Sequence, residues 1–290
     1  MLQGGNHHCP RVVVCFTGES RGIHPPETNK EYVPALAADP FRSRLHDFAI
    51  LPHACFPPQA FHLPNDPNAL RYPRQRTMTD KPIDHIETLM EGHRRFHRDV
   101  FPHKKAQFHL LAEMQAPEWL FITCSDSRIV PDLILQTGPG DLFLSRSIGN
   151  VVPVSGNEVD GVTATIEYAV EALKVKHIIL CGHSDCGALK AALNRKSLEN
   201  LPKASRWLHH VEGAFTHRQP LRPEEGEHAE LASIIRGNVV AQLINLRAQP
   251  SVAKALVHNK IEVHGWYYDI LSGRIEQYDE QQRKFLPLLG

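Results

Sequence analysis

The chain has 290 residues, 42% hydrophobic and 22% charged, with 32 basic against 32 acidic side chains and a formal net charge of zero. This is the composition of an ordinary globular chain, and it argues against nucleic acid or an anionic membrane as the main partner. No apolar run approaches the roughly 18 residues of a spanning helix. Six dispersed cysteines suit a reducing, cytoplasmic compartment, or metal and catalytic use, rather than a disulfide framework.

The first 77 residues stand apart from the rest. They hold 11 of the 22 prolines, and Leu51 to Arg76 shows neither helical nor strand periodicity. Pro57, Pro58, Pro64, Pro67 and Pro73 would each interrupt a regular element. Residues 1–77 are therefore expected to form an irregular, Pro-rich leader without a fixed core, and 78–290 the folded domain. Val12 to Phe16 is too short for the apolar centre of a secretory signal, and the acids from Glu19 to Asp66 do not suit a transit peptide. The abrupt change at Met78-Thr79-Asp80 motivates the hypothesis that Met78 is the natural start. N-terminal sequencing of native protein beginning at Met1 would refute it.

Beyond Met78 the pattern becomes regular. Ile83, Ile86, Leu89, Met90 and His93 recur at helical spacing after a capping Asp80. Pro102 is expected to break that helix before a second one from Lys105 to Met114, the two making an N-terminal helical arm. Trp119 to Cys124 reads as a buried strand, Ile129 to Leu135 as a short helix and Leu142 to Ser147 as another strand. Val159 to Leu173 carries an apolar helical face. Strand His177 to Cys181 leads into a helix from Cys186 to Leu193, with helical stretches near Ser205–Phe215, Glu227–Arg247 and Ser251–His258. Glu262 to Ile270 is rich in β-branched and aromatic residues, and Ser272-Gly273 turns it into a hairpin partner at Arg274 to Tyr278. Alternating strands and helices predict an α/β fold: a central, mostly parallel β-sheet with an antiparallel edge strand, flanked by helices.

Two segments carry the chemistry: Cys124-Ser125-Asp126-Ser127-Arg128 and His183-Ser184-Asp185-Cys186. Each follows an apolar strand, and residues just past the carboxyl ends of parallel strands meet in one crevice. Cys124, His183 and Cys186 would then supply two thiolates and an imidazole. Three protein ligands with an open fourth position is the pattern of a catalytic zinc. Two thiolates cancel the charge of the ion, so neighbouring groups must help to activate water. Asp126 can orient the water and Arg128 can keep that carboxylate ionised. Cys181 lies inside its strand and reads as a small buried hydrophobe, Asp185 as a helix N-cap, and Cys9, Cys15 and Cys55 as incidental.

Taken together, the two motifs resemble those of the β-class carbonic anhydrases. The likeness extends through Pro139-Gly140-Asp141, Arg146, Asn150, Glu167-Tyr168-Ala169-Val170 and His264-Gly265-Trp266, and covers the chain from about Met78 onward. The resemblance implies reversible hydration of carbon dioxide to bicarbonate and a proton. Zinc would be held by Cys124, His183 and Cys186, with bound hydroxide oriented by the Asp126–Arg128 pair. It implies that Gln115 donates a hydrogen bond to substrate or bicarbonate. It also implies a homodimer or homotetramer with active sites near the subunit interface, the helical arm lying over its neighbour.

The chain departs from the pattern at three positions. Phe121 and Thr123 stand where bicarbonate-regulated members carry tryptophan and glycine, although Tyr268 matches their tyrosine. That disfavours this form of regulation and leaves open a pH-dependent exchange of Asp126 between zinc and Arg128. Ser147 stands where asparagine is frequent. Two other readings use the same residues: hydrolysis of carbon disulfide or carbonyl sulfide, which a narrower apolar entrance would favour, and a non-catalytic zinc-binding or thiol-based regulatory module. Loss of Asp126 or Arg128 would have favoured the last, and both are present.

Overall fold

The computed structural model describes residues 85–156 and 159–289; the reading of residues 1–77 as an irregular leader lies outside them. Six strands form one sheet in the order β2-β1-β3-β4-β5-β6. They are β1 (Trp119–Cys124), β2 (Leu142–Ser147), β3 (His177–His183), β4 (Glu262–Tyr268), β5 (Ile275–Asp279) and β6 (Lys284–Pro287). The first four are mutually parallel, and β5 and β6 add on antiparallel. The expected antiparallel edge is thus two strands deep. The second, β6, has four residues, only Phe285 of them buried.

β1 and β3 sit in the middle of the parallel part, in register from Trp119↔His177 to Thr123↔Cys181. Both are buried along almost their whole length, which is why they read as continuous apolar runs rather than alternating ones. One face of the sheet packs on the main core, with Leu120, Ile122, Ile178 and Leu180 fully buried. The other face carries a smaller cluster of Phe121, Ile179 and Cys181, edged by Trp119, Trp266 and Tyr268.

Nine α-helical segments occur among the described residues: α1 (His85–Arg95), α2 (Phe101–Glu113), α3 (Pro131–Leu135), α4 (Gly161–Glu167), α5 (Gly187–Leu193), α6 (Pro202–Trp207), α7 (Gly213–Thr216), α8 (Ala229–Arg247) and α9 (Pro250–Val257). Helix α8 is buried continuously from Ala232 to Leu243, and its tight seat on the sheet explains a glycine in β4. A Cβ on Gly265 would lie 2.5 Å from Leu243 Cδ1. Two of the polar residues that this burial traps reach backbone carbonyls: Asn238 donates to that of Gly149 and Gln242 to that of His210. No helix among the described residues is long and apolar enough to cross a membrane.

Several expected boundaries move for local reasons. Pro102 does not break the arm: one wide helical turn, Phe96–Val100, joins α1 to α2, and the proline falls in the first turn of α2, where its missing N–H is not needed. α4 starts at Gly161, two residues later than expected, because Asp160 caps it by accepting from the Val162 and Thr163 amides. The arm buries no residue along α2, and Leu89, Leu110 and Met114 are exposed.

Candidate metal centre

The parallel register of β1 and β3 brings Cys124, at the end of one strand, level with the last residues of the other. His183 closes β3, and the chain then turns through Asp185, at φ 60°, to place Cys186 immediately before α5. The Cys124 and Cys186 sulfurs are 4.0 Å apart. One ligand atom from each of Cys124, His183 and Cys186 lies within 4.8 Å of the others, and all three residues are buried. None of the three cysteines in the described residues forms a disulfide.

The histidine is fixed for ligation. His183 Nδ1–H donates to the Ser184 carbonyl at 2.9 Å, which leaves Nε2 as the atom with a free lone pair. That Nε2 is fully buried and has no hydrogen-bond partner. A buried polar atom is rarely left unpaired in this way, and a soft-to-borderline cation between it and the two sulfurs would satisfy it. Ser184 is itself held: its N–H donates to the Tyr268 carbonyl, and its hydroxyl accepts from the Ile270 amide.

The two thiols are hydrogen-bonded to each other. The hydrogen bond with Cys186, aided by His183 and the Gly149 amide, draws the Cys124 thiol below the ordinary range, whereas that same bond and burial push the Cys186 thiol up. The site thus favours one thiolate by itself and resists the second until a cation enters. Gly149 donates its N–H to Cys124 Sγ at 3.4 Å from a φ of 74°, a conformation that costs little only for glycine.

Asp126 and Arg128 stand beside the cluster. Arg128 donates from Nε to Asp126 Oδ1 at 3.0 Å, from Nη2 to Oδ2 at 2.8 Å, and its backbone N–H adds a third bond to Oδ1 at 3.0 Å. The guanidinium holds the Asp126 carboxyl well below the usual carboxylate range, and the two carboxylates facing Arg128 raise it in turn. Asp126 Oδ2 is 3.9 Å from His183 Nε2, so the ionised carboxylate borders the cluster.

Asp185 departs from the expectation of a helix cap. Cys186 is the residue at the N-cap position, with no side-chain cap, and Asp185 instead accepts from Arg128 Nη1 at 2.9 Å and pairs with Lys190. Its left-handed backbone turns the side chain back over the first motif, away from the α5 amides. Arg146 supplies a brace whose role spacing does not show: its guanidinium donates to the carbonyls of Cys124 (3.1 Å) and Asp126 (2.7 Å), clamping the motif loop. Ser147, the departure in β2, accepts on its carbonyl from the Ser125 amide and donates its hydroxyl to the Val151 carbonyl. Cys181 is fully buried on the opposite face, its thiol pushed up to about 12 by burial, in keeping with a structural role.

Gln115 is not brought to the cluster. It is exposed in the connection before β1, without a side-chain hydrogen bond among the described residues. The five residue steps from Trp119 to Cys124 put about 17 Å of strand between that connection and the Cys124–His183–Cys186 cluster.

Comparison with known proteins agrees with this site. Residues 119–275 match the family model "Carbonic anhydrase". A carbonic anhydrase of Pseudomonas aeruginosa is 46% identical over 203 residues, covering 70% of this chain and 92% of that protein. The solved structure of the β-carbonic anhydrase CcaA matches with a TM-score of 0.65 at 35% identity, over 71% of this chain and 93% of that one. One of two tetrameric β-carbonic anhydrases from the filamentous ascomycete Sordaria macrospora matches with a TM-score of 0.58 at 35% identity, over 66% and 95%. With both motifs meeting at one edge of a mostly parallel sheet, the chain belongs to the β-class carbonic anhydrase family of enzymes.

Proposed function

We propose that the chain is a zinc-dependent carbonic anhydrase that interconverts carbon dioxide and bicarbonate, with zinc held by Cys124 Sγ, His183 Nε2 and Cys186 Sγ. The observation that carries this reading is the orphaned, buried Nε2 of His183, facing two sulfurs with Asp126 alongside. Zinc bound there supplies a Lewis-acidic position at which water is made nucleophilic near neutral pH.

The protein's own groups do the rest. Asp126, kept ionised by Arg128, is an acceptor only. It takes one hydrogen bond from the attacking water, so that the lone pair of that water points to the carbon of the substrate. Arg128, engaged with Asp126 and Asp185, holds the carboxylate in position and keeps it from turning toward the cation. Gly149 donates to one sulfur and steadies the thiolate.

Gln115 serves the substrate only from a neighbouring copy, because its own chain holds it at the far end of β1. This accords with a homodimer or homotetramer, and the S. macrospora relatives are tetrameric. Free thiols in the described residues suit a reducing compartment, and we place the enzyme in the cytoplasm on that ground.

The test is stopped-flow hydration of carbon dioxide by metal-quantified protein across neutral to alkaline pH, beside Asp126→Ala. One zinc per chain at the Cys124–His183–Cys186 cluster with fast hydration that the variant loses supports the reading. Stoichiometric zinc with no hydration at any pH would reject it in favour of a sulfur-containing linear substrate or a regulatory role.

A further inference from the structure

Strand β3 begins and ends with a histidine. His183 closes it at the catalytic edge, and His177 opens it six residues earlier, about 20 Å away along the strand. At that far edge His177 is level with Glu262, the first residue of β4, and Ile179 is level with His264. Side chains at i and i+2 share one face of a sheet, so Glu262 and His264 rise from β4 on the same side as His177 from β3.

The side chains converge. His177 Nδ1 and His264 Nε2 are 3.3 Å apart, and Glu262 Oε2 is 3.7 Å from each. One ligand atom of each residue lies within 4.8 Å of the others. The separations are informative. The carboxylate is too far from both imidazoles for a hydrogen bond, which needs about 2.7–3.2 Å. The two imidazole nitrogens are within hydrogen-bond reach of each other, and ligands at about 2.0–2.1 Å from a tetrahedral zinc stand about 3.3–3.4 Å from one another, so a cation can take the place of that contact and bring in the unbonded carboxylate with little movement.

The electrostatics agree. His264 is half-buried, and its burial together with the neighbouring His177 pulls its imidazole below the ordinary value, which favours the neutral ring. Among the described residues the Glu262 carboxylate has no lysine or arginine partner, and the adjacent Lys176 is occupied by Glu118 at 2.5 Å.

We propose that His177, Glu262 and His264 form a second metal site, distinct from the catalytic one, which binds a divalent first-row transition ion such as zinc with two imidazoles, one carboxylate and at least one open position. Its donor set, N₂O without sulfur, separates it chemically from the Cys₂His cluster. An ion there ties the start of β3 to the start of β4.

The test uses untagged, zinc-loaded full-length enzyme titrated with zinc under a weak chelating buffer, with bound metal counted by plasma mass spectrometry. The wild type is expected to take a second equivalent per chain. In His177→Gln and in Glu262→Gln the affinity for that equivalent falls about tenfold or more, because losing even an outer partner of a ligand costs that much. Glu262 is 70% exposed, so its variant tests ligation without disturbing the core. X-ray absorption of the second equivalent should show nitrogen and oxygen neighbours only. A single equivalent in the wild type, a second equivalent unchanged in both variants, or sulfur around the second ion would each overturn the proposal. None of these readouts depends on carbon dioxide hydration.

Discussion

Arg128 grips Asp126 through both carboxylate oxygens, at 3.0 and 2.8 Å, while a third guanidinium nitrogen reaches Asp185 at 2.9 Å. A planar fork held between two carboxylates has one orientation, and lysine, a single point charge, cannot reproduce it. Arg128→Lys is therefore expected to lower kcat/KM by about 10–100-fold, the usual effect of losing support around a metal site. Zinc content should stay at one per chain at the catalytic cluster, because no ligand is touched. Metal analysis beside stopped-flow rates checks both halves; unchanged rates would remove Arg128 from the mechanism.

Gln115 precedes β1 and Cys124 ends it, and only a second copy can bring such a glutamine to the cluster. Gln115→Ala and Asp126→Ala should each be slow as pure homo-oligomers. Equal mixing through reversible dissociation should restore about a quarter of wild-type activity if sites complement pairwise across a two-fold axis. Failure of the mixture to exceed its parents, with subunit exchange confirmed by mass spectrometry, would leave Gln115 outside the reaction.

Gly149 joins backbone conformation to the metal cluster. Its φ of 74° serves to aim an N–H at Cys124 Sγ. Gly149→Ala is expected to destabilise the protein by about 1–2 kcal/mol, the cost of a left-handed L-residue. It should also speed loss of zinc to a chelator, because the amide no longer points squarely at the thiolate. Urea unfolding and chelator kinetics measure the two effects; a loss of stability with unaltered metal retention would show that the hydrogen bond is incidental.

How much of this was legible in the sequence follows from what each feature depends on. β1 and β3 were readable because burial on both faces leaves uninterrupted apolar runs, and the convergence of Cys124, His183 and Cys186 because they follow those strands directly. Asp185 was misread because its partner, Arg128, is 57 residues away and its left-handed turn leaves no trace in spacing. β6 was missed because four residues with one buried side chain carry almost no alternation. The His177–Glu262–His264 cluster depends on the register between β3 and β4, which no local pattern encodes.

Tyr267 gives an alkaline signature. Burial pushes its phenol up to about 12, although Arg236 lies over the ring at 4.1 Å and opposes the shift. A group whose folded value is raised contributes stability in full below its ordinary value of about 10, and loses it as pH rises through the folded value. Stability should therefore decline between about pH 10 and 12, and Tyr267→Phe should flatten that part of the curve. Urea midpoints across this range test it; an equally steep decline in the variant would assign the loss to other groups.

Arg236 is the most exacting polar residue in the core. It is buried on α8 with its side chain 3% exposed, donates to Glu225 at 2.6 Å and to Glu276 of β5 at 2.9 Å, and stacks on Tyr267. It thereby ties the antiparallel edge to the central helix. Arg236→Ala leaves the partly buried Glu225 carboxylate without its cation and Glu276 with Arg222 alone, and should cost about 3–5 kcal/mol. Arg236→Met with Glu225→Gln removes one charge and its counter-charge, keeps the Arg222–Glu276 pair, and should recover much of that loss, because well-packed neutral replacements of a buried ion network are often close to neutral. Chemical denaturation of the wild type, the single variant and the double variant separates the outcomes. A double variant as unstable as Arg236→Ala would mean that the guanidinium acts through its packing on Tyr267 rather than through its charge.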